Sequence, residues 1–163
     1  MELKRHGNLY PGNVIFKDIF SQSHRARLVF HGTFMSKRGN TDFEPHFAAF
    51  SRALEFVVMH LTETQLITTY LVDLGARHRH LSQYGFGPNL WNVFGDCMIR
   101  CTFDWGTRQD RTDELAEAWS KLILFMIACM KDGYYDAQKR DQSRSRVRET
   151  TPSLFSDNSG EVS

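Results

Sequence analysis

The strongest constraint in this sequence is a run of apolar side chains in which Phe43, Phe47, Phe50, Leu54, Val57, Val58 and Leu61 recur at intervals of mostly three and four residues. That spacing puts them on one stripe of a helix, and Pro45 stands where proline is tolerated, in the first turn. Similar stripes follow over residues 64–80, from Pro88 to Cys101, and from about Thr112 to Tyr134, while Phe16, Ile19 and Phe20 form the chain's first apolar face behind Asn13 as a candidate N-cap. No alternation long enough for a strand occurs, so the fold expected is all-α. Residues 21–27 read as a polar link, residues 31–40 as a surface loop, and residues 104–111 as a polar connection before the last helix.

At 163 residues with 41% hydrophobic side chains, the chain can bury one substantial core. Its 20 lysines and arginines against 19 acids leave no net field to draw nucleic acid or anionic lipid. No apolar stretch approaches the roughly 20 residues of a membrane span. Three cysteines, Cys97, Cys101 and Cys129, lie inside helical patterns without a paired knuckle, which points to a reducing, cytoplasmic setting. Cys97 and Cys101 are one helical turn apart, a spacing that seldom meets disulfide geometry. Residues 1–12 read as a polar lead-in closed by Tyr10-Pro11-Gly12. Residues 139–163 have too little apolar surface to offset ordering and read as a disordered polar and basic tail.

His78 is the residue that calls for explanation. Leu74, Leu71 and Ile67 precede it at steps of four, three and four, so the imidazole continues an apolar stripe. A buried imidazole requires a partner for its nitrogens, either a backbone carbonyl or a metal. Spacing removes most histidine combinations: His78 and His80 are roughly 200° apart around a helix, and His46 and His60 are roughly 21 Å apart along one. The sequence has no HExxH or Cys/His knuckle to support zinc. What remains is His46 at the start of one helix and His78 at the end of the next, with phenylalanines between them. Two neutral imidazoles across a flat apolar slot suit the axial positions of a haem iron. Phenylalanine is abundant, 13 residues, and fits either an aromatic core or the walls of such a slot.

Leu74-Gly75-Ala76-Arg77-His78 resembles the F helix of globins, in particular neuroglobin-like and nematode globins. Tyr84-Gly85-Phe86-Gly87-Pro88-Asn89-Leu90-Trp91 resembles their FG corner and G helix, and Glu117-Ala118-Trp119 with Leu122 and Gly133-Tyr134 resembles their H helix. Phe43-Glu44-Pro45-His46 is similar to the approach to the distal histidine. The similarity covers about residues 13–136, within a globin domain placed at residues 13–138. It implies haem b (iron protoporphyrin IX), with His78 as the proximal iron ligand and His46 as a distal ligand or hydrogen-bond donor. It further implies that Phe16, Phe30, Phe50, Leu74, Arg77, Phe86, Trp91 and Phe94 surround the cofactor, with Arg77, Lys37 and Arg38 as candidate partners of the propionates. The expected function is binding of oxygen or another diatomic gas, for transport, or a bis-histidyl centre for redox chemistry or sensing. A missing or truncated A helix is also implied, and with it a homodimer or another partner over the uncovered face. The rival is a haem-free helical interaction protein descended from a globin. An enzymatic reading finds no acid-base pair beyond His46 itself.

Overall fold

Side chains that recur every three or four residues do fold as helices. The computed structural model describes residues 11–34 and 43–150, and every regular element among these residues is helical. The α-helices are α1 (Pro11–Gln22), α2 (His24–Phe34), α3 (Glu44–Met59), α4 (Thr64–Arg77), α5 (Leu90–Thr102) and α6 (Asp113–Thr150). Short 3-10 helices run over His78–Tyr84 and Arg108–Asp110.

Several local expectations need correction. Asn13 lies inside α1, which begins at Pro11; a proline with its fixed φ and no N–H suits a first turn. The expected polar link at 21–27 shrinks to a break at Ser23, whose Oγ accepts the Ala26 N–H at 3.1 Å and caps α2. α2 then extends to Phe34, so residues 31–34 are helix and not loop. Its signal is faint because only Ala26 and Val29 of α2 are buried. Residues 1–10, on which the reduced A helix was expected, lie outside the described residues, as do residues 35–42 with Lys37 and Arg38.

α6 is the other departure. Thr112 Oγ1 accepts the Leu115 N–H at 3.2 Å, and Asp113 and Glu114 follow in the first turn, where the helix dipole favours acids. The helix then runs for 38 residues, so 139–150, expected as the start of a disordered tail, are helical. Extending an existing helix needs no new nucleation, and this stretch is tied by Lys139–Asp136 at 3.5 Å and by an ion pair from Asp141 to Arg79 at 3.2 Å. The rest of the expected tail, residues 151–163, lies outside the described residues.

The centre of the molecule is apolar. Ile15, Leu54, Val57, Leu71, Cys97, Met98 and Ile123 are fully enclosed and come from five different helices; burying each large side chain stabilises the fold by about 1.5–3 kcal/mol. The helix crossing that sets the site is between α4 and α6. A Cβ added at Gly75 would lie 2.0 Å from the Met130 carbonyl oxygen, and one at Gly133 would lie 1.9 Å from that of Val72. Each helix thus presents a glycine to the other's backbone, and the two axes meet more closely than side chains would allow.

Candidate functional site between two histidines

The approach to His46 follows from its helix start. Phe43 precedes α3, and its carbonyl accepts the His46 N–H at 3.1 Å, so the imidazole is carried on the first turn beside Pro45. His78 stands at the other end of the neighbouring helix, where α4 tightens into the 3-10 turn His78–Tyr84 instead of continuing as α-helix through His78 or His80. That turn ends at Gly85, in the left-handed region at φ 86°, a conformation that costs glycine no Cβ clash. Arg25 Nε donates to the Gly85 carbonyl at 3.0 Å and ties the corner to α2.

These placements bring the two imidazoles together, with ring centroids 6.4 Å apart and planes 74° apart. Around His46 stand Phe30 at 5.0 Å, Phe16 at 5.3 Å and Phe34 at 5.4 Å, drawn from α1 and α2. Around His78 stand Trp91 at 5.7 Å and Phe86 at 5.8 Å. Phe50 and Phe94 form the layer behind: they pack on each other at 5.3 Å and reach Phe16 at 5.8 and 6.3 Å. Leu74 contributes its carbonyl, 2.8 Å from His78 Nδ1. Arg77 is not drawn into the cluster; it is paired with Asp73 at 3.1 Å, with 59% of its side chain exposed.

A carbonyl only accepts, so His78 Nδ1 carries the proton in this bond and Nε2 keeps the lone pair. Burial pushes the His78 pKa below its usual value, opposed by the Leu74 bond, with the His80 and Arg77 charges acting in the same direction as burial. Burial, aided by His78, lowers that of His46 to about 4. Both rings are therefore neutral near pH 7, and each offers a lone pair within an aromatic enclosure. Among the described residues no group of three or more His, Cys, Asp or Glu side chains is gathered to hold a metal ion by itself.

Four aromatic residues belong to this neighbourhood that the sequence did not assign to it. Phe47 stacks on Phe16 at 4.8 Å, and Phe43 meets Phe30 at 5.8 Å; both were visible on the α3 stripe. Tyr134 packs against Trp91 at 5.8 Å and Phe86 at 5.9 Å. Phe34 had no usable signal, since it sits in a stretch of Gly, Ser, Lys and Arg. The cysteines stay apart from the site as free thiols, and burial pushes the Cys97 pKa up to about 12.

The family model described as Globin aligns with residues 13–130 of this helical chain. The chain is a member of the globin family. Among relatives, the globin is 29% identical over 92 residues to "Globin-related protein glb-13" of Caenorhabditis elegans, a match covering 56% of this chain and 32% of that protein. The matched segment thus spans about a third of the relative's length. No solved structure matches the globin. Its all-α architecture agrees with the family, and no helix among the described residues is long and apolar enough to cross a membrane.

Proposed function

We propose that this globin binds haem b between α3 and the end of α4, with His78 as the proximal ligand and His46 as the second axial ligand. The observation that carries the reading is the facing pair itself. With ring centroids 6.4 Å apart, the two imidazoles are near enough that both could hold one haem iron. The donor set fits the cofactor: two neutral imidazoles would hold the haem iron, and among the described residues no group of three or more metal-binding side chains is gathered. When bound, the haem supplies an iron centre for one-electron chemistry or for binding a diatomic gas.

The chain's own residues divide the work. Leu74 holds the proton on His78 Nδ1, which presents Nε2 and raises the ring's basicity as a ligand. The phenylalanines from α1 and α2 shield His46 from water. With haem bound, His46 would be a tethered ligand at high local concentration, in competition with oxygen or another gas. This favours a redox or sensing role over oxygen transport.

The test is an absorption titration with haemin, recorded ferric and then ferrous. Sharp, well-split visible bands in the ferrous protein are expected, and their loss in His46→Ala would assign the sixth position. A single broad band in the unaltered protein would mean an open site suited to reversible gas binding. Absence of any Soret change would remove the haem reading and leave a haem-free helical interaction protein.

A further inference from the structure

Arg79 directly follows His78, and only 23% of its side chain is exposed. Its guanidinium lies over the Tyr134 ring, 5.6 Å from the centroid, within the range of a cation–π contact. Its Nε stands 3.2 Å from Asp141 Oδ2 as an ion pair, and its Nη1 donates to Ser82 Oγ. Tyr134 and Asp141 are seven residues apart on α6, so they lie on nearly the same face, two turns apart. Tyr134 is itself 4% exposed and packs on Trp91 and Phe86, the two rings that flank His78. Arg79 and Tyr134 thereby close a loop of contacts around the histidine, and the closure reaches past residue 138 into the extension of α6.

We infer that Arg79 is a positioning residue for His78, gripping α6 at Tyr134 and Asp141. The clamp fixes the short 3-10 helix and so holds the imidazole where Nδ1 meets the Leu74 carbonyl. Some such restraint is needed because hydrogen bonds in a 3-10 turn are poorer than those of the α-helix it continues. The consequence for the cofactor rests on the haem reading given above, whereas the clamp itself acts in the haem-free chain.

The experiment uses the full chain without haem. Amide exchange and the ring-nitrogen NMR shifts of His78 are compared for the unaltered protein, Arg79→Ala, Arg79→Lys, Asp141→Asn and the pair Arg79→Ala with Asp141→Asn. Arg79→Ala is expected to accelerate exchange over residues 78–84 by about tenfold and to shift His78 from one tautomer toward a mixture. Arg79→Lys, which keeps the charge, restores part of the protection. The double variant should exchange no faster than Arg79→Ala alone, since both changes break one unit. Unchanged exchange at 78–84, equal acceleration in α3, or an unshifted His78 tautomer would each overturn the inference. A parallel haemin titration keeps the two readings separate. If the unaltered protein takes up no haem, the proposed function fails, and the His78 tautomer still decides the clamp.

Discussion

The two histidines are held in different ways. His46 is surrounded by rings from two helices and is kept in place by shape, whereas His78 is held by a directional bond, a 2.8 Å contact with a backbone carbonyl, and stands beside an arginine that is ion-paired to α6. Packing without direction tolerates movement, because a ring can slide against other rings at small cost. Hydrogen bonds and ion pairs fix orientation. The surroundings of His78 are therefore built to stay and those of His46 to yield.

Four changes would break or sharpen this contrast. The largest effect is expected from His78→Ala, which should weaken haemin binding by about a hundredfold or more, while His46→Ala keeps the haem and alters its spectrum; equal losses in a haemin titration would erase the asymmetry. Next, Gly133→Ala drives a methyl into the Val72 carbonyl 1.9 Å away, where neither backbone can give, and should cost about 3 kcal/mol or more in urea unfolding. Acid should come third. His46 has its pKa lowered to about 4 in the folded protein, against roughly 6.5 unfolded, so the unfolded chain binds more protons between these values. Stability is then full above pH 6.5 and falls as the pH drops toward 4, by about 2 kcal/mol at pH 5 from this group. Haem-free protein with His46→Phe should lose that part of the slope. The smallest effect is expected from Phe16→Leu, a change within a yielding aromatic cluster, at about 1 kcal/mol; a cost matching Gly133→Ala would show that the distal wall is as rigid as the proximal one.

The two histidines and the helices that bear them were legible because their apolar stripes are strong. His46 beside Pro45 and His78 behind Leu74 could be placed by counting residues. α2 was hidden because most of its side chains face solvent and only two are buried, so periodicity had little to register. Phe34 went with it. The extension of α6 has no apolar stripe, and its support comes from Arg79, which is far away in sequence. Gly75 and Gly133 read in isolation as weak points inside helices; only their contact across space gives them a purpose. Arg77, expected as a candidate partner of the propionates, is paired with Asp73 one turn earlier.

The glycine crossing of α4 and α6 has a consequence for register. Sliding α6 by one turn, about 5.4 Å, would bring Cys129 or Ala137 to the place of Gly133, and each carries a Cβ where Val72 leaves no space for one. The two helices thus admit one setting, as a ratchet admits one tooth, and the height at which α4 delivers His78 is a discrete quantity fixed by the absence of two methyl groups.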